Sequence, residues 1–250
     1  KVAKESILDE NRFKRYHCNM LVDSNECVFT KAEWDACKGE LSDWSEADAV
    51  GAGIDLGSRD DLASMALVAR FNIAEDESNP VYRFECRQWS FIARDSERDL
   101  TKAPFADWVH QGKLNVSGSP LGDLRDLLLE QCEKWQVDSV AYDPNGGQFL
   151  AEAVEQEGWT IARMGQNQRM MHEPITDLLR IVRAGQLTHN GDEVLAWAMG
   201  NAIVVRDRKD QWMFDKKHAR EKIDPAVALV MAYRRASVAP PKPQGALYIA

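Results

Sequence analysis

The chain has 250 residues, which is enough to bury a full hydrophobic core, and its hydrophobic content of 44% is ordinary for a globular protein. It contains no run of about 18 apolar residues, which excludes a membrane-spanning helix and predicts no membrane partner. The net charge of -9 argues against binding nucleic acid through an overall positive surface. Residues 163–235 nevertheless contain 13 Lys and Arg against 9 acids, so this region is a candidate contact surface for a polyanion.

Cysteine usage predicts the redox environment of the protein. The five cysteines lack the spacing of a zinc site: Cys18, Cys27, Cys37, Cys86 and Cys132. They predict a reduced, intracellular protein without zinc. The chain opens on Lys rather than Met and does not begin with a signal peptide. We therefore expect a fragment of a longer protein, although processing or numbering would also explain the first residue.

The predicted elements begin with a lead-in segment over 1–48, which mixes basic, aromatic and acidic residues. The main domain is predicted over 49–250. An apolar run up to Leu56, a turn and a second apolar run over 63–69 predict a β-hairpin. Residues 81–92 predict a third strand of the same meander.

Another pattern follows later in the chain. Residues 121–136 have helical apolar spacing, and 138–142 form a short buried strand that Pro144 ends before another helix. This order of strand, turn and helix is the unit of a parallel sheet, whose sites form at the carboxyl ends of strands.

The remaining predictions complete an α/β fold, in which helices flank a central mixed sheet of antiparallel meander and parallel strands. They are a helix over 96–111 kinked or broken at Pro104, a strand over 160–164, a helix over 175–184, an extended segment over 187–190, a helix over 192–202, a hairpin over 202–214, an apolar helix opening at Asp224 and a proline-rich tail.

Three aspartates stand at similar places in these elements. Asp55 lies inside the first strand, Asp143 ends a later strand, and Asp224 opens the last helix before Pro225. Each has an ordinary explanation, because aspartate commonly caps a turn or a helix N-terminus. Carboxylates that converge from a sheet and a flanking helix are also what a two-metal site requires, and hard oxygen ligands favour Mg²⁺ or Mn²⁺.

Several stretches carry a resemblance to a known family. They are GIDLGSRDDLASMALV, AYDPNGGQFLAEAVEQEGW, LTHNGDEVLAWAMGNA, KKHAREKIDPAVALVMA and the lead-in FKRYHCNMLVDSNECVFTKAEWDAC. Together they resemble the nuclease domain of the large terminase subunit of tailed bacteriophages. The resemblance implies an RNase H-like fold and a metal-dependent endonuclease that cuts concatemeric viral double-stranded DNA during genome packaging, with two Mg²⁺ or Mn²⁺ ions.

The resemblance also assigns roles to individual residues. Asp55, Asp143 and Asp224 match the catalytic acid triad, and Asp61 matches a further acid near the second metal, a role for which Asp60 competes. His189 and Asn201 recur in the family motif, where they serve the structure or the site.

The basic stretch 206–222 contains seven Lys and Arg and four acids. It is either a solvated hairpin or a flap that contacts DNA phosphates beside the site. The candidate DNA-binding residues are Arg206, Arg208, Lys209, Lys216, Lys217 and Lys222.

The resemblance implies partners outside this chain. No GxxxxGK[ST] motif is present, so the ATPase motor of the family would precede Lys1 in the complete protein. Portal and small terminase subunit would be partners of that full-length protein, in the cytoplasm of the infected bacterium. Two alternatives stay open: a nucleotide-binding phosphotransferase of the actin, Hsp70 and sugar-kinase type, suggested by GIDLG, and a non-catalytic module that docks on portal or motor.

Overall fold

The computed structural model describes residues 27–57, 61–74, 78–96, 100, 104–219 and 221–240. Its strands are β1 (Ala49–Leu56), β2 (Ala63–Asn72), β3 (Tyr82–Ala93), β4 (Asn115–Ser117), β5 (Ser139–Tyr142), β6 (Ile161–Arg163), β7 (Leu187–His189), β8 (Val204–Arg206) and β9 (Trp212–Phe214). Its α-helices are α1 (Lys31–Asp35), α2 (Phe105–His110), α3 (Pro120–Trp135), α4 (Pro144–Gln156), α5 (Gln168–Arg183), α6 (Glu193–Asn201) and α7 (Asp224–Val238).

Seven strands form one mixed sheet in the order β4-β3-β2-β1-β5-β6, and β7 also pairs with β3. The first three strands are an antiparallel meander, in which β1 pairs with β2 and β2 with β3. Strand β5 then pairs in parallel with β1, and β6 in parallel with β5. This arrangement confirms the predicted α/β fold with a mixed sheet.

Helices cover both faces of the sheet because residues of a strand alternate between its faces. One face packs against α7, which is buried over most of its length, together with α5 and α6. The opposite face packs against α3 and α4 through residues such as Leu128 and Leu150. Strands β8 and β9 form a separate two-stranded hairpin, as the sequence predicted.

Two helices differ from their predicted bounds. Helix α2 begins after Pro104, and 97–99 and 101–103 of the predicted helix lie outside the described residues. Helix α5 begins at Gln168 rather than 175, because the Asn167 side chain caps it and accepts from the Met170 amide at 3.2 Å. The helix then continues through Pro174.

The described part of the lead-in, residues 27–48, packs on the domain. Phe29 and Trp34 enter the core on the α7 side, and Trp44 enters the core on the other face. Residues 1–26 and the tail from 241 lie outside the described residues. Within the part that is described, no helix has the length and apolarity needed to cross a membrane.

The four cysteines in the described part of the chain are all buried. They are Cys27, Cys37, Cys86 and Cys132. Burial raises the pKa of the Cys132 thiol to about 12, which keeps this side chain protonated and unreactive.

Candidate active site

Asp55 and Asp224 meet through a single lysine. Asp55 lies near the end of β1 and is only 1% exposed, and Asp224 is the first residue of α7 and is 3% exposed. The Lys216 ammonium contacts Asp55 Oδ2, and it lies 3.1 Å from Asp224 Oδ1. The structure therefore brings together two of the three predicted acids, with a positive charge between them.

Small residues bring these two aspartates together. Gly51, Gly53 and Asp55 share one face of β1, because they alternate along the strand. Helix α7 runs antiparallel to β1, with Ala228 and Ala232 against Gly53 and the next turn against Gly51. The first turn of α7 therefore reaches the end of β1, where Asp55 lies.

Asp143 lies at the same edge of the sheet. Ile54 of β1 pairs with Tyr142 of β5, and Asp55 and Asp143 are the next residues on these neighbouring strands. Adjacent strands lie about 4.8 Å apart, so the backbone positions of the two aspartates are neighbours at this edge. The Asp143 carboxylate accepts from the Asn145 amide at 3.1 Å and caps α4, so its ordinary structural role is also present.

The electrostatics of the pair follow from burial. Burial, together with the negative charge of Asp224, raises the pKa of Asp55 to about 7, and Lys216 and Gln166 oppose this rise. Burial lowers the pKa of Lys216, but the carboxylates of Asp55 and Asp224 outweigh it and hold the pKa above its ordinary value. The lysine thus stays charged, and Asp55 is poised to exchange a proton near neutral pH.

Gln166 is a site residue that sequence reasoning missed. Its Nε2 donates to Asp55 Oδ1 at 2.7 Å from the loop between β6 and α5. The sequence carries no signal for this contact, because a single glutamine in a loop has no recognisable pattern. With Lys216 on the other oxygen, both oxygens of Asp55 have a donor.

The candidate DNA-binding residues lie in different environments. Lys216 is exposed, but its ammonium contacts the acid site. Arg206 forms an ion pair with Asp210 at 3.1 Å and its guanidinium stacks on Trp212. The exposed members of the set are Arg208, Lys209, Lys216 and Lys217.

The further acid has a basic partner of its own. Asp61 forms an ion pair with Lys222 at 2.5 Å, which connects the turn after β1 to the loop before α7. Asp60, the competing candidate, lies outside the described residues. A place for Asp61 near a second metal stays a prediction.

The motif residues His189 and Asn201 make structural contacts. His189 stacks on Trp34 with ring centroids 4.4 Å apart, its Nε2 lies 2.8 Å from the Trp34 carbonyl, and its Nδ1 accepts from the Gly191 amide at 3.1 Å. Asn201 donates to the Trp197 carbonyl at 2.9 Å, within its own helix. Both side chains thus hold the backbone of the β7–α6 region.

The acids fit a divalent cation on two observations. Asp224 Oδ2 is buried without a hydrogen-bond partner among the described residues, and the Lys216 ammonium already occupies the space between the Asp55 and Asp224 carboxylates. Carboxylate oxygens are the ligands that Mg²⁺ and Mn²⁺ prefer. In the described ranges, however, no three His, Cys, Asp or Glu side chains stand close enough together to hold a metal.

The sheet order and the flanking helices define the RNase H-like class of α/β fold. The chain belongs to the family described as terminase large subunit, endonuclease domain, whose model matches residues 1–239. This assignment replaces the phosphotransferase alternative.

Relatives of known name support the assignment. Protein YmfN of Escherichia coli (strain K12) is 27% identical over 246 residues, which cover 94% of this chain and 54% of the relative. The terminase large subunit of Enterobacteria phage HK97 is 25% identical over 243 residues, which cover 89% of this chain and 44% of the relative. The chain thus spans about half the length of these relatives.

Two solved structures are similar to this chain, and the first of them shows the shared fold. The crystal structure of the HK97 bacteriophage large terminase matches with a TM-score of 0.71 and 22% identity, over 90% of this chain and 46% of that one. The large terminase nuclease from thermophilic phage G20c with bound magnesium matches with a TM-score of 0.47 and 15% identity, over 75% of this chain and 81% of that one.

Proposed function

We propose that this chain is a metal-dependent endonuclease that hydrolyses phosphodiester bonds in double-stranded DNA. The observation that carries the proposal is the pair of buried carboxylates of Asp55 and Asp224, which share one cationic partner at the sheet edge. Such a pair is costly to bury unless a cation compensates it. Family membership supports nuclease chemistry at this edge.

Asp55, Asp143 and Asp224 are the residues that would hold Mg²⁺ or Mn²⁺, with Asp61 as a further acid. Two such ions, when bound, would activate the attacking water and stabilise the departing 3′ oxygen. Hydrolysis then proceeds without a covalent intermediate on the protein. Asp143 would exchange its capping contact with the Asn145 amide for this role.

Other parts of the structure orient the Asp55 carboxylate and shield it from bulk water. Gln166 fixes the orientation of the Asp55 carboxylate, and the packing of α7 on β1 keeps bulk water from it. Lys216 has to leave the space between the carboxylates before another cation enters. Its position in the loop after β9 then allows the ammonium to contact a DNA phosphate.

The basic hairpin supplies further phosphate contacts in this proposal. Arg208 and Lys209 lie exposed at the turn between β8 and β9, and Lys217 lies exposed beside Lys216. Arg206 and Lys222 complete the set after exchanging their present acidic partners. Phosphate contacts position the duplex but carry no sequence information, so we expect little sequence specificity.

The biological setting is part of the proposal. We infer that the chain is the nuclease part of a longer protein, with an ATPase motor before Lys1, that cuts concatemeric viral DNA during packaging. Portal and small terminase subunit would be partners of that protein in the host cytoplasm. Docking on the portal or the motor is compatible with this role as an additional one.

The test is cleavage of supercoiled plasmid by this chain with Mn²⁺, Mg²⁺ or EDTA. We expect nicking and linearisation only with the metals, and their loss in Asp55→Asn, Asp143→Asn and Asp224→Asn. Asp126→Asn is the matched control, because Asp126 is exposed on α3, on the other side of the sheet. Cleavage that persists in EDTA, or in all three site variants, would contradict the proposal.

A further inference from the structure

A cleft of about 260 Å³ lies where the end of β6, the start of α5 and the last turns of α7 meet. Among the described residues, its lining contains four guanidinium groups and one carboxylate, an excess of three positive charges. The carboxylate, Glu173, forms an ion pair with Arg234 at 3.0 Å. The other three arginines of the cleft are Arg163, Arg169 and Arg235.

Arg235 occupies an unusual position for a cation. It is only partly exposed, and its Nε donates to the uncharged Ser139 hydroxyl at 2.8 Å. Burial and the neighbouring charge of Arg234 lower the pKa of Arg235, because both disfavour the charged form. An anion in the cleft would relieve this repulsion.

The cleft is connected to the acid site by two elements. The segment from Arg163 to Arg169 contributes both arginines to the cleft and, between them, Gln166 to the acid site. Helix α7 begins at Asp224 in the acid site and reaches the cleft at Arg235. At a rise of 1.5 Å per residue these two residues lie about 16 Å apart along the axis.

That spacing fits one strand of a duplex. Successive phosphates of a strand advance by about 3.4 Å along the helix axis, so about five of them cover this distance. Arginine is suited to the contact, because its planar fork matches the oxygens of a phosphate. The net charge of -9 over the whole chain means that an approaching duplex is attracted to a few local positive sites rather than to the surface at large.

We propose that this arginine cleft binds the phosphate backbone of double-stranded DNA within about five base pairs of the point of cleavage. The inference rests on the proposed nuclease function and adds a second contact to it, apart from the basic hairpin. The contact fixes the direction in which the duplex leaves the acid site. It reads no bases, because guanidinium groups on phosphates carry no sequence information.

The test is fluorescence anisotropy of a short labelled duplex with the whole chain in EDTA, so that no cleavage takes place. The variant combines Arg163→Gln and Arg169→Gln, which both replace exposed side chains and should leave the fold intact. We expect binding to weaken about tenfold and the slope of log affinity against log salt to fall by about 2. Circular dichroism confirms that the variant is folded.

Arg125→Gln is the matched control, since Arg125 is exposed on α3 on the other side of the sheet and pairs with Asp126. It should bind as the unchanged chain does. Unchanged affinity and salt slope in the double variant, or no binding by the unchanged chain, would overturn the cleft proposal. The proposal would also be overturned if poly-glutamate displaced the labelled duplex at the same concentration as unlabelled DNA does. The cleft would then be suited to an acidic protein.

The plasmid assay separates this inference from the proposed function. If the double variant binds the duplex more weakly but the unchanged chain shows no metal-dependent cleavage, the cleft proposal stands and the nuclease proposal is contradicted. If the unchanged chain cleaves DNA with metal but the double variant binds the duplex as well as the unchanged chain does, the nuclease proposal stands and the cleft proposal is contradicted.

Discussion

Gly53 of β1 lies against the backbone of α7 at Ala228, with no room for a side chain between them. A Cβ atom on Gly53 would stand 2.5 Å from the Ala232 amide nitrogen, closer than side chains approach backbone in folded proteins. The contact sets the height of α7 over β1. It therefore sets the distance between the aspartates that these two elements carry.

Gly53→Ala should destabilise the protein and separate Asp55 from Asp224. The added methyl group meets backbone rather than a flexible side chain, so α7 has to shift, at a cost of about 1–3 kcal/mol. Urea unfolding measures the loss. Gly200→Ala is the control, because Gly200 lies in α6 with open space around its Cα, and alanine there should stabilise by about 1 kcal/mol. Equal stability of Gly53→Ala and the unchanged chain would contradict the expected clash.

Lys216→Met should weaken the fold and make it more responsive to metal. Loss of the ammonium leaves two buried carboxylates without their cation, and since Lys216 is partly exposed we expect a loss of about 1–2 kcal/mol. The loss of stability relative to the unchanged chain should grow as pH rises above about 7, the pKa of Asp55 in the unchanged chain. Without Lys216 this pKa is higher still, so the folded variant has to hold a proton that the unfolded chain has already released. Thermal unfolding across pH measures this.

The same variant tests whether Lys216 and a metal compete for one space. Added Mn²⁺ should raise the Tm of Lys216→Met more than that of the unchanged chain. Lys217→Met is the control, because the neighbouring lysine is exposed and its loss should change neither quantity. An identical rise in Tm in Lys216→Met and the unchanged chain would exclude the competition.

Gln166→Leu should move the pH dependence of metal binding upward. The Gln166 amide donates to Asp55 and so favours its charged form, which lowers the pKa of this carboxyl from what burial alone would give. Without the donor, Asp55 stays protonated to higher pH. Titration with Mn²⁺ should show weaker binding at about pH 6.5 and little change at about pH 8.5, where the carboxyl is ionised in both proteins. A parallel loss at both values would mean that Gln166 acts only on geometry.

His189 should make the protein less stable in mild acid. Burial lowers the pKa of His189 below 6.5, so the unfolded chain binds a proton more readily than the folded one. Its contribution is complete above the unfolded value and is lost as pH falls through the folded value. Urea unfolding at about pH 7.5 and 5.5 should show a smaller loss in His189→Gln than in the unchanged chain. Equal losses would assign the acid sensitivity to other groups.

The positions of Asp55 and Asp143 could be predicted from the sequence, because each stands where a buried strand ends. Parallel pairing of β1 with β5 then places them side by side, as the unit of strand, turn and helix indicated. The hairpin of β8 and β9 could be predicted for a similar local reason. Its turn residues separate two short apolar runs.

The contacts made by Gln166 and Lys216 could not be predicted, because both side chains reach Asp55 from loops. Loop residues have no periodicity that says which way they point, and their partners are more than a hundred residues away in the chain. The close packing of α7 on Gly51 and Gly53 could not be predicted for the same reason. Nothing near β1 in the sequence shows that the last described helix packs on the first strand.

The packing of α7 on β1 and β2 also concerns the order in which the protein is made. These strands leave the ribosome long before α7, and they cannot cover their inner face until α7 arrives. A nascent chain that ends before Asp224 therefore lacks both a layer of the core and one of the proposed acids. Synthesis itself would keep an incomplete chain from cutting the DNA around it, since the fold and the proposed site are completed by the same helix.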